Sequence, residues 1–294
     1  MGSRTEEREA YNRVAPAWTA HVAPLTAAYG RRLLNWLDPP AGSALLDVAC
    51  GAGHLAVEAA HRGCRAAGID LSAAMLDQAR TLAAQAGTGG AVSFQEADAE
   101  ALPFRDGSFR YLTSVFGLMY VPAPASALAE FGRVLRDDGW MGLVVWALPR
   151  RTGCLRVTMA SLAEAAAPAA VRWLLRRRVG EALLWRLLED RIPGRGPSPA
   201  RFGRPGRIER ELEAAGFTDI AVQEHTEIWR YEDFDHFWRA FLRATPAAPV
   251  HPDRAPRVRR ILAARCEEYR ENGALAFPMT ALVVKARRSA ARPG

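Results

Sequence analysis

Residues 45–55 read L-L-D-V-A-C-G-A-G-H-L, a short apolar run that ends in a glycine-rich turn and continues into an alanine-rich amphipathic stretch. Leu45, Leu46 and Val48 suit a buried parallel strand, and Leu55, Ala56, Ala59 and Ala60 fall on one face of a helix starting near His54. Gly51 and Gly53 stand at the joint, where they permit backbone angles closed to other residues and let a ligand approach the main chain. The first turn of the helix adds unpaired N–H groups and the positive end of a helix dipole. A strand, such a turn and a helix in this order commit the chain to an α/β fold with a polar or anionic ligand group at the turn.

The turn alone leaves the ligand open. Residues 51–56, G-A-G-H-L-A, satisfy the dinucleotide fingerprint G-x-G-x-x-A, with Asp70 at about the ribose-binding distance. The same turn suits S-adenosylmethionine, or no ligand at all. The segments that follow break the tie. R-A-A-G-I-D at 65–70 reads as a second strand ending in an acid, and Ser72 is placed to cap the next helix. Asp70 thus lies at a strand's carboxyl end, where an open parallel sheet forms its ligand crevice. Its carboxylate can accept from two ribose hydroxyls while Leu71 or Met75 packs on an adenine. A third strand at 91–94 leads into Glu96-Ala97-Asp98-Ala99, which sets a second acid, Asp98, at a strand end. A fourth strand near 111–116, a helix near 124–135 and a fifth strand at 140–147 follow.

Four motifs now stand in order: LLDVACGAG, GIDLSAAML, EADAEALPFRDGSF and SVFGLMYVPAPASALAEFGRVLRDDG. Together they resemble the class I S-adenosylmethionine-dependent methyltransferases, in the small-molecule branch that includes ubiquinone and menaquinone biosynthesis enzymes and natural-product tailoring enzymes. The likeness spans residues 45–147. It implies a Rossmann-like fold with a seven-stranded, mostly parallel sheet whose last strand is antiparallel. It also implies S-adenosylmethionine as cofactor, leaving as S-adenosylhomocysteine. By position, the resemblance puts Asp47, Ala49, Gly51 and Gly53 at the methionine end, Asp70 at the ribose, Asp98 and the Ala99 amide at the adenine edge, and Phe116 on the fourth-strand wall. The implied activity is methyl transfer to a small, apolar or aromatic acceptor in specialised or quinone-like metabolism, with O-methylation preferred over C- or N-methylation. Two other classes stand beside it: an NAD(P)-dependent oxidoreductase, disfavoured by the Asp98 motif, and a non-methylating cyclase or binding protein of the same fold. Two positions depart from the family pattern. Arg110 stands where an aspartate is common and could re-aim the end of the fourth strand, and Asp137-Asp138-Gly139-Trp140 replaces the usual Pro-Gly-Gly turn.

The flanks are expected to select the acceptor. Residues 1–40 read as a helical cap whose Tyr11, Val14, Trp18 and His21 can cover the crevice, as such N-terminal helices often do in the family. Residues 41–148 and 206–288 form the expected core, with a helix at 206–215, a sixth strand at 218–228 and a final strand at 274–285. An aromatic-rich stretch at 231–242 and an amphipathic helix at 252–270 lie between those strands. Residues 149–205 read as a helical lid, in which 171–188 is apolar on one side and arginine-rich on the other, with Trp173 and Trp185 as candidate aromatic walls. Residues 289–294 are a tail. Tyr120 follows the fourth strand in the pocket-facing loop and is the first candidate for acceptor chemistry. His21 and His236 come next, with Tyr11 and His225 also in view, whereas His54 and His61 read as structural or exposed.

At 294 residues and 49% hydrophobic content, one elaborated domain is expected. No apolar run approaches the roughly 20 residues that cross a bilayer, and the start is charged, so a cytoplasmic location is the expectation. A formal charge of +7 invites a nucleic-acid reading. It is weakened because the charge is almost all arginine (Lys285 is the lone lysine), acids are interspersed, and Phe116-Gly117-Leu118-Met119 stands where base-modifying relatives carry an Asn-Pro-Pro-Tyr type of motif. The basic amphipathic stretch leaves peripheral membrane contact open. Cys50, Cys64, Cys154 and Cys266 lack metal or redox spacing and are expected as free thiols, Cys50 as a small filler of the turn.

Overall fold

The computed structural model describes residues 4–167, 191–192, 196–242, 244–245 and 252–289. Seven strands, β1 (Ala44–Val48), β2 (Arg65–Asp70), β3 (Val92–Glu96), β4 (Phe109–Val115), β5 (Leu135–Trp146), β6 (Phe217–Tyr231) and β7 (Ala274–Arg288), make the main sheet. Their order is β3-β2-β1-β4-β5-β7-β6. The first five are parallel. β7 runs antiparallel to both β5 and β6, as expected for this fold. A two-residue strand, Arg270–Glu271, pairs with the start of β7, and Arg191–Ile192 with Gly196–Pro197 forms a separate small hairpin.

The helices are α1 (Arg4–His21), α2 (Ala23–Leu37), α3 (His54–His61), α4 (Ala73–Gln85), α5 (Pro124–Val134), α6 (Gly153–Ala166), α7 (Arg207–Ala214), α8 (Phe234–Phe237) and α9 (Ala255–Cys266). The chain steps from β1 to β3 in one direction and from β4 to β5 in the other. Right-handed crossovers then set α3 and α4 on one face of the sheet and α5 on the opposite face. The reversal between β1 and β4 opens a crevice at their carboxyl ends, the place where such sheets bind ligands. Local chemistry agrees with each start and stop. Leu45 and Leu46 are fully buried in β1, and Ser72 caps α4 by accepting the Met75 N–H at 3.2 Å.

Several boundaries move for reasons of pairing. β6 and β7 each run three residues past their expected ends because they pair from Leu275 opposite Tyr231 to Arg288 opposite Phe217. α9 stops at Cys266 and passes into a tighter turn, Glu267–Tyr269. Arg110 sits at a register shift near the amino end of β4, between the pairs Phe109–Leu135 and Tyr111–Trp140, so it does not re-aim the end that faces the crevice. The unusual Asp137-Asp138 turn is answered by β7: Arg287 reaches Asp138 at 3.0 Å and Arg288 reaches Asp137 at 3.6 Å. Residues 171–188, with Trp173 and Trp185, lie outside the described residues, as does the tail beyond Ser289. Among the described residues the four cysteines are free thiols, and no helix is long and apolar enough to cross a membrane.

Candidate active site

The glycine turn and the end of β4 build the crevice floor from main chain. Ala49, just past β1, and Phe116, just past β4, both hold left-handed backbone angles, φ 55° and 58°. Gly51 (φ 52°) and Gly53 (φ 80°) complete the turn. The Gly51 N–H donates to one Asp70 oxygen and the Ser72 N–H to the other, each at 2.9 Å, so Asp70 ties the turn to the end of β2. Burial pushes the Asp70 carboxyl up, and the Ser72, Gly51 and Leu71 amides pull it back.

A cleft of about 900 Å³ stands on this floor, lined by Gly51, Asp70, Leu71, Met75, Asp98, Ala99 and Phe116. Asp98 lies two residues past β3. It accepts the Glu100 N–H at 2.9 Å and pairs with the Arg4 guanidinium at 2.9 Å. The roof is α1, which contributes Glu7, Tyr11 and Trp18. Glu7 was not singled out by sequence. Burial, with Asp70, Asp98 and Glu100 adding to it, pushes its carboxyl up to about 7 against the pull of Arg201. Glu7, Tyr11 and Trp18 follow one another at spacings of four and seven, a helical stripe that names Glu7 once α1 is known to be the roof.

Asp47 and Gly53 stand apart from the cleft proper. Asp47 lines an adjoining recess of about 490 Å³ with Cys50, Gly51 and His54. It accepts the Thr113 hydroxyl at 2.8 Å, and burial pushes its carboxyl up to about 7. Gly53 shapes the turn: a Cβ there would come within 2.7 Å of Ala79 Cβ.

A second chamber, of about 750 Å³, adjoins the first. Tyr11, Trp18, Thr26, Phe116 and Tyr120 border both. Most of the rest of its wall comes from α6 (Leu155, Thr158, Met159, Leu162), from Trp146 at the end of β5, from Trp229 in β6 and from Phe241, with Val22, Pro199 and Thr245 completing it. Phe116 stacks on Trp146 at 3.9 Å and Trp146 meets Trp229 edge-on at 5.5 Å. None of the described residues lining this chamber is charged. Sequence reasoning did not find this wall, although Leu155, Thr158, Met159 and Leu162 carry the i, i+3, i+4, i+7 spacing of a helix face.

Tyr120 borders both chambers, 6.4 Å from Tyr11 ring to ring. Burial pushes both phenols up, so each is a neutral hydroxyl at physiological pH. His21 is exposed at the end of α1. His236 takes the Glu232 N–H at 3.4 Å and meets the Tyr231 ring. His225 pairs with Glu227 at 2.6 Å. None of these three histidines lines either chamber.

The first chamber offers carboxylates for hydroxyls and amines, apolar side chains for a flat ring and a close-approaching main-chain turn for a polar tail, a set that suits an adenosyl group with an amino-acid tail. Comparison with known proteins agrees. Residues 46–143 match the methyltransferase domain family. The chain is 32% identical to nocamycin O-methyltransferase of Saccharothrix syringae over 71% of each chain. It is also 32% identical to a ubiquinone/menaquinone biosynthesis C-methyltransferase of Bradyrhizobium over 65% of this chain and 73% of the relative. In fold it is similar to the [4+2]-cyclase SpnF, with a TM-score of 0.58 and 19% identity over 98% of this chain and 97% of the other. The strand order, the crevice and these relatives lead to one conclusion: the chain belongs to the small-molecule branch of the S-adenosylmethionine-dependent methyltransferases.

Proposed function

We propose that this protein transfers the methyl group of S-adenosylmethionine to a small, apolar or aromatic acceptor, with an oxygen as the preferred methylated atom. One observation carries the reading: a chamber at the glycine turn that holds the carboxylates of Glu7, Asp70 and Asp98 meets an aromatic chamber, uncharged among its described residues, at Tyr11, Trp18, Phe116 and Tyr120. The cofactor supplies an electrophilic methyl on a sulfonium. The protein's part is to hold the acceptor in line with it, which in favourable cases lowers the barrier by about 7–11 kcal/mol. In this reading Asp70 accepts from the ribose, Asp98 and the Ala99 amide read the adenine edge, and Leu71 and Met75 pack on the base. Ala49, Gly51, Gly53 and Asp47 shape the methionine end. Tyr120 and Tyr11, held neutral by burial, orient the acceptor as hydrogen-bond donors and do not take its proton.

Residues 1–40 act as the cap, 41–148 with 206–288 as the catalytic core, and 149–205 as the lid over the acceptor. The preference for oxygen is supported by the longer match to the O-methyltransferase relative. A thermal-shift titration with S-adenosylmethionine, S-adenosylhomocysteine, NAD and NADP tests the cofactor. At about 100 times the dissociation constant the two sulfur compounds should stabilise the fold by roughly 2.7 kcal/mol, and Asp70→Ala should weaken that shift. A shift with NAD or NADP alone would overturn the reading. Mass spectrometry and NMR of the product of an acceptor screen then identify the methylated atom.

A further inference from the structure

Among the described residues three carboxylates line the first chamber, and the protein answers two of them. Asp70 accepts the Gly51 and Ser72 amides, one on each oxygen. Asp98 accepts the Glu100 amide on one oxygen and meets the Arg4 guanidinium with the other. Glu7, the third, takes no hydrogen bond and makes no ion pair among the described residues. Arg201 acts on it only from a distance, since its Nη2 donates to the carbonyls of Leu118 at 3.1 Å and Val121 at 2.7 Å. Glu7 is half-buried and lines the cleft, so a ligand there can meet it. Its place along the cleft is also defined. It stands one helical turn before Tyr11 on the same face of α1. Asp70 on the floor raises its carboxyl, and Glu7 in turn raises the phenols of Tyr11 and Tyr120 on the wall shared with the second chamber. A cofactor with its ribose at Asp70 and its methyl toward that wall carries its sulfur between those two points, which are the two that Glu7 acts on.

We propose that Glu7 is the countercharge of the cofactor's sulfonium and so makes the site prefer S-adenosylmethionine to S-adenosylhomocysteine. The proposal rests on the cofactor reading above and adds the residue that tells substrate from product. In the empty cleft, burial and the charges of Asp70, Asp98 and Glu100 keep the Glu7 carboxyl protonated up to about 7, against the pull of Arg201. A cation in the cleft favours the carboxylate, so Glu7 gives its proton to solvent as the sulfonium enters. Methyl transfer leaves a neutral thioether, which ends the attraction. Glu7 then takes its proton back from solvent, and the product is held less tightly than the substrate was. Three other groups bear on any pH dependence. Asp47, also raised to about 7, lies in the adjoining recess bonded to Thr113, and the Tyr11 and Tyr120 phenols stay neutral through this range. Arg4 and Arg8, on the same helix, pair with Asp98 and Glu96 and remain charged throughout.

The test measures the affinities of S-adenosylmethionine and S-adenosylhomocysteine by calorimetry from about pH 5.5 to about pH 8. It uses the full chain and Glu7→Gln, which keeps the shape and removes the charge. In the wild type the ratio of the two affinities should rise roughly tenfold in favour of S-adenosylmethionine across that range. In Glu7→Gln the ratio should be flat and stay near its low-pH value. Repeating the titrations near neutral pH in buffers of different ionisation enthalpy counts the protons released. S-adenosylmethionine should release more than S-adenosylhomocysteine, and this readout in the wild type decides the matter should Glu7→Gln fail to fold. A ratio independent of pH, with no extra proton released, would overturn the proposal. So would a pH-dependent ratio that persists in Glu7→Gln, which would assign it to Asp47, or an equal loss of both ligands in Glu7→Gln, which would make Glu7 a ribose contact. Each of these outcomes leaves the cofactor reading standing, whereas a chain that binds neither ligand overturns both.

Discussion

Ala49 and Phe116 keep left-handed backbone angles although each carries a side chain. That conformation costs about 1–2 kcal/mol per residue, and here it falls on the two residues that follow the strands flanking the crevice. The adjacent glycines separate two consequences of the same strain. Gly53→Ala would place a methyl 2.7 Å from Ala79 Cβ and 3.0 Å from the Phe94 ring. Overpacking of about 1–3 kcal/mol would add to the backbone cost, so the melting temperature should fall by roughly 5–10 °C. At Gly51 a new Cβ meets nothing nearer than Trp18 Nε1 at 4.0 Å. Gly51→Ala should therefore cost only the backbone term, while its methyl enters the cleft and weakens S-adenosylhomocysteine binding about tenfold or more by calorimetry. Unchanged affinity in Gly51→Ala would move the cofactor away from this turn. Glu7 gives a pH signature. Its carboxyl sits near 7 in the folded protein against an ordinary 4.5, and Asp47 is raised from 3.8 to about 7 in the same way. The folded state then holds protons that the unfolded chain has released. Stability contributed by these protons is complete below about pH 4 and is lost as pH rises through 7. Thermal melts across that range should show the decline, and Glu7→Gln should flatten it. Asp70 and Asp98 were legible in sequence because strand, turn and acid lie within a few residues of one another. Glu7, Trp229 and Thr158 were not, because only the tertiary fold brings α1, β6 and α6 over the same crevice.

Among the elements, α1 is tied down by a series of polar contacts. Of its residues only Ala15 is fully buried. Asn12 accepts from the Ser72 hydroxyl at 2.7 Å and from the Ala74 N–H at 3.2 Å, and Arg8 pairs with Glu96 at 3.6 Å. Arg4 joins Asp98 and Glu100 from a half-exposed position, where an ion pair contributes about 0–1 kcal/mol. An element with so little apolar burial opens at low local free energy. Its inner face, with Glu7, Tyr11 and Trp18, lines the cleft, so a ligand there should hold it shut. Hydrogen–deuterium exchange is expected to be faster in α1 than in β1 for the free chain, and to slow tenfold or more in α1 once S-adenosylhomocysteine binds. Asn12→Ala should speed exchange in α1 and leave β1 as it was; equal protection of α1 with and without ligand would mean that the roof is fixed. β1 and β2 could be read from sequence because each is a short run closed by a glycine turn or an acid. The ends of β6 and β7 could not, because mutual pairing extends both beyond their apolar runs. The Asp137-Asp138 turn was likewise illegible, since its partners Arg287 and Arg288 arrive from the far end of the chain.

At the scale of the whole molecule, the two chambers share one wall, made by Tyr11, Trp18, Thr26, Phe116 and Tyr120, and the second is completed by later parts of the chain. Residues up to Pro122 supply every described residue lining the first chamber, whereas the second depends also on Trp146, α6, Trp229 and Phe241. The motif-bearing first chamber was therefore readable, and the second was visible only as separate aromatic and apolar stretches. The shared wall makes a thermodynamic prediction. Tyr11 and Trp18 belong to α1, and a ligand that closes α1 over the first chamber also completes the border of the second. Binding at the two sites should then be positively coupled, by the 1–3 kcal/mol usual for such linkage, or about 5–150-fold in affinity. The coupling must be reciprocal: S-adenosylhomocysteine should tighten the binding of a neutral aromatic probe of the second chamber, such as tetralin, by the same factor by which that probe tightens S-adenosylhomocysteine. Calorimetry of each ligand with and without the other closes the cycle. Asn12→Ala, which loosens the roof from α4 without entering either chamber, should leave each ligand's contacts in place and make the coupling factor larger, because more of the closing is left for the first ligand to do. A factor of one in both directions, with both ligands bound, would show that the shared wall is rigid and that the two chambers are filled independently.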